Sequence, residues 1–96
     1  MLRILRDLAS RLNARVYLFG SYARGDHMLD SDVDVVVVSP LFEGMPYPNR
    51  VAFVRSLLPP DLGFDIIALT PREFRERLDT PFFKELSRYW IEVVPG

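Results

Sequence analysis

The chain has 96 residues, 49% hydrophobic and 26% charged, with a formal net charge of −1. This mix excludes a disordered tail and a collagenous repeat. The absence of cysteine excludes a disulfide framework, a thiol nucleophile and a cysteine-ligated metal. Direct nucleic-acid binding is not expected, because the basic excess that usually marks it is missing. The length predicts a single domain over residues 1–96. Such a chain buries roughly 60–65% of its unfolded surface, which leaves little for a substrate-binding lobe, so part of any binding surface is expected from a second chain. Residues 1–12 carry Arg3, Arg6, Asp7 and Arg11 and do not resemble a signal peptide. The longest uncharged apolar run, residues 35–38, is far short of the ~20 residues that span a bilayer. A cytoplasmic protein with no membrane partner is the expectation.

Leu2, Leu5, Leu8, Ala9 and Leu12 recur at helical spacing and predict an amphipathic helix over residues 2–13, which Asn13 can end. The β-branched and aromatic run Arg15–Phe19 predicts a strand stopped by Gly20. Residues 20–31 fit a loop with one or two helical turns. Residues 32–38 (DVDVVVV) give the strongest strand signal of the chain. Pro40, Gly44 and Pro46 place a loop at residues 39–47. Its Phe42 and Tyr47 read as a cover for a nucleotide base or a partner contact. Val51, Val54 and Leu58 predict a helix over residues 50–58, ended by Pro59 and Pro60. Phe64–Leu69 (FDIIAL) reads as a third strand. Thr70-Pro71-Arg72-Glu73 is a capping-box helix start, and Thr80-Pro81 starts a last helix running to about Tyr89. Residues 90–94 alternate like a short edge strand. The order predicts an α/β (α+β) domain with a mixed sheet of three to four strands flanked by helices.

Three features carry chemistry. Asp32 and Asp34 lie two apart on a strand, so both carboxylates leave one face, with Cα atoms roughly 6.5 Å apart from the ~3.3 Å rise per residue. Two such charges repel, and a divalent cation with a preference for hard oxygen ligands, such as Mg²⁺, removes the penalty. Gly20-Ser21 follows the first strand: the glycine lets backbone approach a ligand, and the start of a helix suits a phosphate that Arg24, one turn on, can also reach. Asp65 begins the third strand inside an apolar run. Ten residues separate Ser21 from Asp32, which favours an antiparallel return. The 25 residues between Val38 and Phe64 allow a crossover that makes the second and third strands parallel. All three features then meet at one end of the sheet.

Gly20-Ser21 followed after ten residues by Asp32-Val33-Asp34 resembles the signature of the DNA polymerase β-like nucleotidyltransferase superfamily. The string GSYARGD…SDVDVVV is similar to its smallest members, the minimal nucleotidyltransferases. The resemblance implies a mixed sheet flanked by helices, a nucleoside triphosphate such as ATP, and Mg²⁺, with two ions. By position, Asp32, Asp34 and Asp65 would hold the metal and catalyse, Asp61 being a nearby rival for the third place. Gly20, Ser21 and Arg24 would bind the nucleotide. The implied reaction is attack of an acceptor hydroxyl on the α-phosphate, with Asp65 helping to deprotonate the acceptor. Small relatives of this kind pair with a helical HEPN-domain toxin and act as antitoxins by adding AMP to it. That implies a HEPN-type partner and is compatible with a homo-oligomer. The alternative is a non-catalytic nucleotide-binding or antitoxin subunit that acts by contact alone. A haloacid dehalogenase-type hydrolase also uses Asp-x-Asp, but there the apolar strand precedes the pair, whereas here it follows. His27 reads as a solvated loop residue, and Phe82, Phe83, Tyr89 and Trp90 as core or subunit contacts.

Overall fold

The computed structural model of the chain describes residues 2–20, 23, 25 and 32–94. Within these, α1 is Leu2–Leu12, β1 Arg15–Phe19, β2 Val33–Val38, α2 Tyr47–Ser56, β3 Phe64–Leu69, α3 Pro71–Arg77, α4 Pro81–Ser87 and β4 Ile91–Val93. The strands form one mixed sheet in the order β3-β2-β1-β4. β1 is antiparallel to both β2 and β4, and β2 is parallel to β3, as the link lengths predict. The helical turns expected within residues 20–31, and His27 with them, fall largely or wholly outside the described residues.

Period-two alternation divides the sheet between two layers. Val16, Leu18, Val33, Val35, Val37, Phe64 and Ala68 face α1 and α2, where they pack with Leu5, Leu8, Leu12, Val54 and Leu58. Asn13 ends α1 in the left-handed region at φ 50°, a conformation that asparagine tolerates and that suits a helix C-terminus. Tyr17, Val36, Val38 and Leu69 point the other way, toward Phe74 of α3, Phe83 of α4 and Trp90. Tyr17 stacks on Phe74 at 5.2 Å and lies 4.5 Å from Trp90, while Phe83 meets Phe74 edge-on at 6.2 Å. Of the four C-terminal aromatics, Phe83 and Trp90 are thus core, whereas Phe82 and Tyr89 are exposed.

Two expectations are corrected. α2 starts at Tyr47, three residues early, because Pro48 sits in its first turn, where a missing N–H costs nothing. Phe42 covers no nucleotide: it is fully buried in the α1/α2 layer, and it follows the C-terminal end of β2, the opposite end from Asp32. A 3₁₀ turn at Pro40–Phe42 drives it inward. Ser39 fixes that turn by donating to the Leu12 carbonyl at 2.6 Å and accepting from the Leu41 N–H at 3.1 Å. Ser39 is itself fully buried. Ser39→Ala orphans a buried carbonyl and removes a cap, so it should cost about 1–2 kcal/mol in urea unfolding.

The outer edge of β3 is closed by side chains of α2. Arg55 donates to the Phe64 carbonyl at 3.3 Å, the Ala68 N–H donates to the Tyr47 hydroxyl at 3.3 Å, and Arg50 donates to the Ala68 carbonyl at 3.4 Å. Backbone groups that would otherwise template another strand are thereby occupied.

Candidate active site

Both sheet pairings bring their chemistry to one end. In the β1/β2 register Phe19 faces Asp34, so Gly20 ends β1 beside the start of β2. In the parallel β2/β3 register Asp34 faces Asp65 directly, which sets their backbones about 4.8 Å apart. Asp32 lies two residues earlier on the same face. Below them on that face Val36 and Val38 are buried under the aromatic layer. Asp32 and Asp65 are exposed and Asp34 is half-buried, so the carboxylates rim an open site whose floor is apolar.

Asp61, the rival third carboxylate, lies exposed in the turn before β3, outside the ladder. The register brings Asp65, not Asp61, to Asp34. Ser21 and Arg24, expected at the triphosphate, lie outside the described residues. Gly20 has φ 71°, in the region that glycine enters without penalty. The Asp34 carboxylate leans on it: a Cβ at Gly20 would overlap Asp34 Oδ2 and come 3.0 Å from Cγ. Backbone freedom and close approach therefore both select glycine here.

Asp34 and Asp65 are like charges directly opposed on a parallel pair, an arrangement that destabilises a sheet. Asp32 adds a third charge to the same face. Among the described residues no three carboxylate or imidazole groups close around a single ion position. Mg²⁺ is usually held by one or two carboxylates plus substrate phosphates rather than by an all-protein cage, and a face of hard oxygen donors open to solvent fits that habit. Sequence reasoning missed Gly63, which stands beside Asp32 just before β3. Only the strand register exposes that neighbour.

The chain matches the family described as nucleotidyltransferase domain over residues 1–93. It is 34% identical over 79 residues to a Methanocaldococcus jannaschii protein described as a candidate protein adenylyltransferase, covering 82% of this chain and 77% of the relative. Its fold is similar to that of a candidate nucleotidyltransferase from Sulfolobus solfataricus, with TM-score 0.62 at 23% identity over 96% of this chain and 78% of the other. It is also similar to a chain of a toxin–antitoxin crystallised with AMP-PNP, with TM-score 0.67 at 17% identity over 99% of this chain and 73% of the other. The chain belongs to the nucleotidyltransferase domain family, and its four-stranded mixed sheet flanked by helices is the fold it shares with its nucleotidyltransferase neighbours.

Proposed function

We propose that the protein is an Mg²⁺-dependent adenylyltransferase that moves AMP from ATP to a hydroxyl on a partner protein. The observation that carries the reading is the register pair Asp34–Asp65, with Asp32 on the same face and Gly20 at the end of the neighbouring strand. Asp32 and Asp34 would hold the metal, with Asp65 beside them. Mg²⁺ held there, two ions by the family resemblance, would supply positive charge against the triphosphate. Gly20, whose backbone a ligand can approach closely, receives the triphosphate with Ser21 and Arg24. Asp65 is exposed on the edge strand, within reach of an incoming acceptor, and takes the hydroxyl proton. The new bond joins the acceptor oxygen to the α-phosphorus. The bond to the β-phosphate oxygen breaks, and pyrophosphate leaves.

The acceptor is best read as a tyrosine of a helical, HEPN-type toxin encoded beside this chain. Support comes from the relative described as an adenylyltransferase and from the shared fold of the toxin–antitoxin chain. Incubation with α-labelled ATP, Mg²⁺ and the adjacent gene product tests the proposal. Label on a tyrosine of that product, lost with EDTA, is the expected result. Tight association without label would instead indicate a subunit that acts by contact alone.

A further inference from the structure

The two Asp-x-Asp carboxylates each lie against a glycine, but for different reasons. At Gly20 the backbone itself calls for glycine. At Gly63 it does not: φ lies outside the left-handed range that Gly20, Gly25 and Gly44 occupy. The ladder fixes what a side chain there would meet. Val33 pairs with Phe64, and the Val33 N–H donates to the Gly63 carbonyl at 2.9 Å, so residue 63 is the lateral neighbour of Asp32. A Cβ at 63 would leave the sheet on the carboxylate face. It would overlap Asp32 Oδ1 and stand 3.2 Å from Cγ and 4.0 Å from Cβ, all three nearest atoms being those of Asp32. The space left by the missing side chain is therefore the space in which the Asp32 carboxylate lies.

We infer that Gly63 is a positioning residue for metal binding: the bare backbone at this position lets Asp32 lie flat against β3, on the face shared with Asp34 and Asp65. The inference rests on reading Asp32 as a metal ligand. Because Asp32 is exposed, a methyl group at 63 swings the carboxylate into solvent rather than straining the sheet. The cost falls on coordination, not on folding.

The test is Mn²⁺ binding followed by electron paramagnetic resonance with a non-hydrolysable ATP analogue, together with thermal unfolding of the metal-free chain. Gly63→Ala should weaken Mn²⁺ binding by about tenfold or more, the scale of lost support for a ligand, with an unchanged or higher melting temperature. In an Asp32→Ala background, where no carboxylate remains to be displaced, Gly63→Ala should leave the remaining Mn²⁺ affinity unchanged. Wild-type Mn²⁺ affinity in Gly63→Ala, beside weakened binding in Asp32→Ala, would overturn the inference and leave the metal reading standing. Unchanged affinity in Asp32→Ala would overturn both. Should Gly63→Ala alone fail to fold, folding of the double variant supports the carboxylate contact, and failure of both variants refutes it.

Discussion

Asp34→Asn should abolish nucleotide transfer while leaving the fold in place. Asp34 is the central carboxylate: it faces Asp65 across the parallel ladder, leans on Gly20, and shares its face with Asp32. Asparagine keeps the shape and removes the charge that a divalent cation needs. Metal-assisted charge stabilisation is worth several kcal/mol at the transition state, so the rate should fall by about 10³-fold or more. Label transfer from ATP, followed over time for wild type and variant at saturating Mg²⁺, measures the ratio. Circular dichroism should stay close to that of the wild type, since asparagine keeps the shape of the side chain and relieves the like-charge opposition to Asp65. A variant that transfers nucleotide at the wild-type rate would remove Asp34 from the chemistry.

The largest effect on stability should come from Glu73. Its carboxylate grips Arg50 from both ends, at 2.6 Å and 3.4 Å, and accepts the Thr70 N–H at 2.9 Å. Arg50 is only 8% exposed and also donates to the Met45 carbonyl at 2.9 Å. It thus ties α2 to the edge of β3 and to the cap of α3. The guanidinium, and after it the Thr70 N–H, holds the Glu73 carboxyl at about 2, from an ordinary 4.5. Taken alone, that drop corresponds to about 3 kcal/mol. The Glu73 side chain is 36% exposed, and solvent screening reduces the contribution. Glu73→Gln, which also strands a buried cation, should still cost about 2 kcal/mol, or roughly 10 °C in melting temperature for a domain of this size.

The pH dependence has a definite sign. Folding lowers this pKa, so the unfolded chain holds the proton more tightly than the folded one. The contribution is complete above the ordinary value of 4.5 and is lost as pH falls toward 2. Urea unfolding across that window should show a slope in the wild type that Glu73→Gln flattens. Parallel wild-type and variant curves would show that the pair contributes nothing.

Much of this architecture is written locally. Asp-Val-Asp before a valine run states a strand that is wet at its start and buried beyond. The lengths of the two links then predict which neighbour is antiparallel and which parallel. Thr70-Pro71 and Thr80-Pro81 place α3 and α4 through caps that form as predicted, Thr70 accepting from Glu73 N–H at 3.2 Å and Thr80 from Phe83 N–H at 3.4 Å. What stayed hidden depends on residues far apart in the chain. Nothing local marks Arg50, because Glu73 and the Ala68 carbonyl close on it only across the fold. Phe42 reads as part of a proline-rich cover, because no local pattern reveals that a 3₁₀ turn capped by Ser39 carries it into the core. Nothing local marks Gly63, because its neighbour Asp32 is 31 positions away and only the ladder sets them side by side.

That ladder also couples occupancy to folding. Gly20 closes β1, Asp34 lies in β2, Asp65 lies in β3 and Gly63 directly precedes that strand, so no single segment holds the candidate site. Opening β3 alone, by releasing its edge from Arg50, Tyr47 and Arg55, would remove a carboxylate and the wall beside Asp32 in one event. A ligand that needs all three strands recognises only the assembled sheet. Binding then stabilises the closed state by RT ln(1 + [L]/Kd), growing with the logarithm of ligand concentration above Kd. Protection of β3 amides from hydrogen exchange becomes a direct gauge of ligand occupancy at the candidate site.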